Sequence, residues 1–236
     1  MGLFDKVNKV EPGVGVVDTN EYVYSVQEAQ EKLFSLLHKS TGWRFLKSSK
    51  LLKNSIGNLA FEIHFRSSKW NQSHQIIDIQ ACFYLVYKKY GKLAVDNTVA
   101  SVMYEPEAAR SDNPNWYDIS TERKLNATYE ELNTKIQNTA VRLYQQYEKD
   151  IVSATRDLFE NHFEEYRVHL DFVADILGRD IIMPKAKEIY EMLSDSWKQQ
   201  VVDYKNGARN KAWMINRNNL KFIVDNELIE IYYSGH

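Results

Sequence analysis

The residues best suited to chemistry lie on one face of two predicted neighbouring strands. Alternating apolar and polar residues predict strands over 59–66 and 77–85. The polar positions hold Glu62, His64, Arg66, Asp78, Gln80 and Tyr84. Such groups transfer protons when they surround a pocket, and side chains on adjacent strands reach one another. An enzyme site on this face is one hypothesis, and an ordinary solvent-exposed sheet face is the other.

A second group of polar residues follows helical spacing. His162, Glu165 and His169 stand at i, i+3 and i+7, so they share one face of a predicted helix. Imidazole and carboxylate groups suit transition metals. The spacing differs from known signatures such as H-E-x-x-H. We therefore expect a polar helix face, and predict neither a metal nor a cofactor.

Nucleophilic chemistry has little support in the sequence. Cys82 is the only cysteine, which excludes a disulfide within the chain. It is predicted on the polar sheet face with His64, where a base could activate it, but a packed structural cysteine is the favoured interpretation. Gly13-Val14-Gly15 lacks the third glycine or the GK[ST] of phosphate-binding loops. We predict no catalytic residue.

The first half of the chain predicts a sheet with a covering helix. Residues 1–24 indicate an irregular arm or a short strand. Ser25-Val26-Gln27-Glu28 is a capping box that opens a helix ending near 39–42. Further strands are expected from Trp43 and over 95–104. The short connections cannot hold parallel crossovers, so the strands form an antiparallel meander.

The second half predicts helices. Residues 105–120 form a proline-containing loop. From a second cap at Thr128 the pattern predicts either one long helix or a helical hairpin with a polar turn, and one long helix that breaks near 166–170 is favoured. Pro184 starts another helix that Gly207 stops. A helix over 211–224 and a strand over 228–233 complete the chain. The fold class is α+β, with a sheet domain over 1–120 and a helical region over 121–236 that is either separate or packed on the sheet as one unit.

Charge divides the chain unevenly. Residues 39–92 carry ten basic and two acidic side chains, a net charge of +8, whereas residues 105–175 carry eight basic and fifteen acidic ones, a net charge of −7. An anionic partner is one interpretation, with Trp43 and Trp70 stacking on bases. Complementarity between the two halves is the other. The proposed partner-binding residues are Arg44, Arg66, Lys69, Trp70, Lys88 and Lys89.

The meander is expected to split this basic charge between its two ends. Lys53 and Lys88 should lie at one end together with Lys89 and Lys92. Arg44, Arg66 and Lys69 should lie at the other. A protein that follows a phosphate backbone gathers its basic charge on one face. A protein partner is therefore favoured over nucleic acid.

Composition limits the remaining classes. The 236 residues are 44% hydrophobic with a formal net charge of −2, which suits a sizeable core and argues against global disorder. No stretch has the length of a transmembrane helix or the pattern of a signal peptide. We predict a cytoplasmic protein without membrane contact. Its oligomeric state is left open.

Two short segments resemble a known family. Gly42-Trp43-Arg44-Phe45-Leu46-Lys47 follows a helix, and Phe65-Arg66-Ser67-Ser68-Lys69-Trp70-Asn71 precedes a strand. Together they resemble the bacterial proteins that contain domain of unknown function 4304, in which glutamine usually stands at the position of Arg66. The resemblance spans about a fifth of the chain, from 42 to 85. It implies an α+β fold and no particular activity.

Three functions remain in order of preference. The first is a non-enzymatic interaction protein of the kind found among bacterial accessory genes, including toxin immunity and phage–host conflict factors. It is favoured because catalytic motifs are missing while aromatic residues make up 13% of the chain. The second is a nucleic-acid-binding protein that uses the basic sheet rims. The third is an enzyme with a site around Glu62, His64 and Asp78.

Overall fold

The computed structural model describes residues 21–88, 97–106, 116–208 and 219–229. An antiparallel sheet occupies the first half and helices dominate the second, so the fold is α+β as expected. The strands β1 to β6 span Arg44–Leu46, Leu51–Ile56, Leu59–Ser67, Asp78–Tyr87, Thr98–Tyr104 and Tyr117–Asp118. The helices α1 to α8 span Val26–Thr41, Glu122–Ile136, Arg142–Lys149, Ile151–Asn161, Leu170–Leu177, Arg179–Glu191, Asp195–Lys205 and Asn219–Asp225.

Helix α1 begins and ends where the sequence predicts. Ser25 caps the amide of Glu28, and the Glu28 carboxylate accepts a hydrogen bond from the Ser25 amide at 2.8 Å. These two bonds satisfy amides that have no partner within the helix. Gly42 ends the helix with φ of +68°, a conformation that glycine adopts without steric cost. The buried side of α1 carries Leu33 and Leu37, among others.

The sheet is a meander in the order β1-β2-β3-β4-β5, and β6 pairs with the start of β4. Phe61 lies opposite Leu85 and Ile63 opposite Phe83. All four side chains are fully buried, whereas Glu62 on the other face is half-buried, so the predicted alternation is confirmed. The fourth predicted strand corresponds to β5, and its first residues, 95 and 96, lie outside the described ranges.

The helix predicted from Thr128 starts earlier and breaks earlier. Its cap is Thr121, and Thr128 is a buried residue inside α2 whose hydroxyl donates to the carbonyl of Asp118 at 3.0 Å. A π-helical turn over 137–141 joins α2 to α3. The break comes at Asp150, where the backbone is extended. The Asp150 carboxylate accepts hydrogen bonds from the amides of Val152 and Ser153. The prediction that the helix runs unbroken from Thr128 to about 166–170 is therefore wrong.

The later helices also differ from the prediction. Helix α6 begins at Arg179, and Pro184 lies inside it rather than at its start. A turn over 192–194 separates α6 from α7, so the single helix predicted between Pro184 and Gly207 is two helices. Of the helix expected over 211–224, the described part is α8, and most of the expected tail strand lies outside the described residues. No helix within the described ranges has the length and hydrophobicity needed to cross a bilayer.

One hydrophobic core contains side chains from the sheet and from the helices. Phe61 of β3 lies with its ring centroid 5.3 Å from that of Tyr144 and 5.7 Å from that of Tyr147, both on α3. Phe83 of β4 contacts the ring of Tyr166 in the same way. Helix α3 and the segment that follows α4 thus cover part of the apolar sheet face. The division into domains at residue 120 stays a prediction.

Candidate functional site

Glu62 lies at the centre of the polar cluster predicted on the sheet. Its carboxylate lies 2.9 Å from Nε2 of His64 and accepts a hydrogen bond from Nζ of Lys53 at 2.5 Å. These two partners outweigh the effect of burial and lower the pKa of Glu62 from 4.5 to about 2. The Glu62 side chain is only 13% exposed. A carboxylate this acidic is a poor general base near neutral pH, so the cluster is suited to holding strands together.

The rest of the predicted polar site is brought together only in part. The hydroxyl of Tyr84 accepts a hydrogen bond from Arg66 at 3.1 Å, and its ring lies 5.0 Å from that of His64. His64 stands opposite Cys82 in the strand register. Asp78 is the first residue of β4 and precedes Cys82 by four residues, which places it about 13 Å from the His64–Cys82 pair. The expectation that Asp78 joins Glu62 and His64 in one site is therefore wrong.

Cys82 lacks the setting of a reactive thiol. Its side chain is 8% exposed, and its sulfur lies 3.4 Å from the carbonyl oxygen of Val102. Burial raises the pKa of the Cys82 thiol, which disfavours the thiolate that acts as a nucleophile. The packed structural role favoured from the sequence agrees with these observations.

His162, Glu165 and His169 do not share a helix face, contrary to the prediction. Helix α4 ends at Asn161, and α5 starts only after His169. Nδ1 of His162 lies 2.8 Å from the carboxylate of Glu165. The amide of His169 instead donates a hydrogen bond to the carbonyl of Val99 in β5. Among the described residues, no group of three histidine, cysteine or acidic side chains is arranged to hold a metal ion.

The basic residues proposed for partner binding occupy several places. Arg44 stands directly opposite Lys53, so the expectation that they lie at opposite ends of the sheet is wrong. The reason is a tight hairpin between β1 and β2, which the sequence pattern did not reveal. Arg66 and Lys88 do lie toward opposite ends, because β3 and β4 pair along their full length. Lys89 lies outside the described residues.

The two tryptophans assigned to base stacking differ in exposure. Trp43 is 2% exposed and packs edge-on against Phe61 and Tyr144, so its proposed role in stacking on bases is wrong. Trp70 is 72% exposed, and Nζ of Lys69 lies 4.8 Å from the centre of its ring. Of the two tryptophans, Trp70 is therefore the one whose ring is free to contact a partner.

The largest described cavity lies beside α1 and was not predicted. This α1 groove, of about 870 Å³, runs between α1 and the segment from Phe45 to Lys50. One face of α1 lines it with residues spaced by three or four positions: Gln27, Gln30, Glu31, Phe34, Ser35 and His38. Phe45 adds an aromatic ring to the floor, and Lys47 and Lys50 form the opposite wall. The groove therefore has an apolar floor and a mainly basic rim.

Lys50 is held in place by an unusual backbone and a polar anchor. Its φ is +48°, a left-handed conformation that costs a non-glycine residue about 1 kcal/mol. Its Nζ donates to the hydroxyl of Ser67 at 3.0 Å, and Gln30 donates to the same hydroxyl at 2.6 Å. Gln30 is buried, so this network fixes the basic wall against α1.

The turn that carries Trp70 is anchored next to the α1 groove. Asn71 bonds Asp78 through both its side-chain oxygen, at 2.8 Å, and its side-chain nitrogen, at 2.9 Å. Ser73 accepts a hydrogen bond from the Val26 amide at 3.2 Å and lines the groove. Trp70 thus precedes Ser73 of the groove wall by three residues in the chain. The turn between them is held by the hydrogen bonds of Asn71 and Ser73.

Sequence reasoning singled out Lys69 and Trp70 but missed Lys47 and Lys50. Lys47 ends one of the segments that resemble the bacterial family, and Lys50 belongs to no motif, so neither lysine carries a binding signal in the sequence. Helix α1 carries a stripe of mostly polar side chains along the groove. Only the packing of α1 against β1 turns that stripe into one wall of a groove.

Comparison of the chain with protein-family models, curated proteins and solved structures finds no match. The resemblance of residues 42–85 to the bacterial family stays a prediction. The α1 groove and the Trp70 turn are the features of the described residues best suited to binding.

Proposed function

We propose that this protein is a non-enzymatic interaction protein that binds a macromolecular partner at the α1 groove and the adjoining Trp70 turn. The observation that carries the proposal is the 72% exposure of Trp70, three residues along the chain from Ser73, which lines the α1 groove. Tryptophan is enriched among residues that dominate binding energy at protein interfaces. The anchored turn presents the indole with little conformational freedom to lose on binding.

The polar sheet face gives weaker support to an enzyme. Asp78 stands apart from Glu62 and His64. The low pKa of Glu62 and the raised pKa of Cys82 remove the two groups best placed to act as base and nucleophile. A protein of the bacterial accessory type, acting in toxin immunity or phage conflict and located in the cytoplasm, remains our preferred context.

Nucleic acid is the second candidate partner, and the pairing of Lys69 with Trp70 favours it. An indole beside an ammonium group is suited to stacking on a base next to a phosphate. Against it, the α1 groove includes Glu31, which repels phosphates, and Lys88 lies toward the far end of the sheet. Nucleic-acid binding would weaken steeply with salt, as phosphate contacts release counterions.

The test is a pull-down from cells that naturally produce the protein, using tagged wild type and the Trp70→Ala variant. Loss of the indole should weaken the complex by about 2 kcal/mol, or roughly thirtyfold, and remove the partner from the eluate. Met192→Ala is the matched control, because Met192 is 79% exposed at the end of α6 and should be neutral. Recovery of no stoichiometric partner, or equal recovery with Trp70→Ala, would contradict the proposal.

A further inference from the structure

We infer that the α1 groove recognises an acidic linear segment of a protein partner, with an aromatic or aliphatic side chain as its anchor. The inference rests on the proposed function and specifies the chemistry of the partner. It follows from the floor of the groove, the charge of its rim and the open sheet edge beside it.

The floor supplies the place for an apolar anchor. The ring centroids of Phe34 and Phe45 lie 5.1 Å apart, and Phe34 also contacts Phe65 at 4.7 Å. Phe34 is almost fully buried while Phe45 is half-buried, so one aromatic surface is available from the groove. Val26 lines the same cavity. Clefts with an apolar floor and a few placed polar groups are typical of binding sites.

The rim supplies the attraction for carboxylates. Lys47 is exposed, and its ammonium group makes no ion pair with the described residues. The ammonium group of Lys50 donates to the neutral hydroxyl of Ser67 and makes no ion pair with the described residues. Glu31 is the only carboxylate among the lining residues. Charge complementarity therefore favours an acidic segment, which the two lysines meet on one wall.

The sheet edge favours an extended conformation. Strand β1 is the end of the meander and pairs only with β2 among the described strands. Phe45 belongs to β1 and also lines the groove. An extended peptide that enters the groove can therefore form backbone hydrogen bonds with β1, as in strand addition to an open edge. The three residues of β1 limit this pairing to a short stretch.

Nucleic acid fits the groove less well than a peptide. Two lysines on one wall face Glu31 on the other, and an apolar floor between them offers nothing to a phosphate backbone. A peptide can place an apolar side chain on the floor and a carboxylate at the wall. The two classes of ligand are distinguished by the experiment below.

Random short peptides displayed on phage are selected against the full chain, and selected peptides are then titrated by fluorescence anisotropy. We expect enrichment of aspartate or glutamate next to aromatic or aliphatic residues. The double variant K47E/K50E should weaken binding by more than about tenfold, because each exposed pair contributes up to about fivefold and reversal adds repulsion. The control K149E/K187E makes the same charge change at two exposed lysines of α3 and α6 that do not line the groove, and should leave affinity unchanged.

The Lys50→Gly variant separates binding from folding. Glycine adopts the left-handed conformation at position 50 without steric cost, which offsets the lost hydrogen bond to Ser67, so the urea midpoint should stay close to that of wild type. Loss of the ammonium group should still weaken peptide binding several-fold, at about fivefold for a single pair. A folding defect therefore cannot explain a loss of affinity in this variant.

Three results would overturn the inference. The first is selection of peptides that are not enriched in aspartate or glutamate. The second is equal peptide affinity of K47E/K50E and wild type. The third is binding of a single-stranded oligonucleotide that K47E/K50E and Lys50→Gly abolish. If the pull-down partner is lost with Trp70→Ala but retained with K47E/K50E, the proposed function stands and the acidic segment does not.

Discussion

Replacing Glu62 by glutamine should destabilise the protein by an amount that depends on pH. His64 and Lys53 lower the pKa of Glu62 from 4.5 to about 2 in the folded state. At about 1.4 kcal/mol per pH unit, this difference corresponds to about 3 kcal/mol of stabilisation at neutral pH. The 13% exposure of the side chain means that solvent screens this interaction only weakly.

The sign of the pH dependence follows from the direction of the pKa change. Because folding lowers the pKa of Glu62, the stabilisation is present above the unfolded-state pKa of 4.5 and is lost as the pH falls toward about 2. The stability difference between wild type and Glu62→Gln should therefore be constant from about pH 7 to pH 5. By about pH 3 this stability difference should fall to less than half of its value at pH 7.

Urea denaturation followed by circular dichroism measures this difference at each pH. Glu130→Gln is the matched control, since Glu130 is exposed on α2 and the same substitution should cost under about 0.5 kcal/mol at every pH. Equal destabilisation by Glu62→Gln at pH 7 and pH 3 would refute the assignment of the effect to the Glu62 carboxylate.

Two further predictions concern the core and the buried thiol. Phe61→Ala should lower the free energy of unfolding by about 4 kcal/mol in urea denaturation, because the ring contacts both the sheet and α3. The whole chain should still unfold in one transition, at a lower urea concentration. A loss below about 1 kcal/mol, as expected for Met192→Ala, would contradict the shared core. Cys82 should react with Ellman's reagent only after urea unfolds the chain, since burial raises its pKa; rapid labelling of the native protein would disprove this.

Much of the first half was predictable because local signals and tertiary packing agree there. The Ser25 capping box and Gly42 bound α1, and strict alternation fixed which side chains of β3 and β4 face the core. Alternation works because a shift by one residue would turn every apolar side chain toward water.

The second half was less predictable because the first breaks of its helical pattern lack glycine or proline. Asp150 ends one helix and caps the next, yet aspartate also occurs on exposed helix faces. The position of Pro184 predicts a helix start, but Pro184 lies inside α6, in the N-terminal half of the helix. The π-helical turn over 137–141 has no distinctive sequence pattern.

The sequence by itself determined the α+β class, the antiparallel meander and the concentration of basic charge around the sheet, because periodicity and charge are properties of the chain order. The tertiary structure alone decided which of those charges meet. It paired Lys53 with Glu62, set Arg44 opposite Lys53, and placed Lys47 and Lys50 across a groove from α1. These neighbours depend on the β1–β2 hairpin and on how α1 packs, and such long-range contacts are not encoded in any short segment.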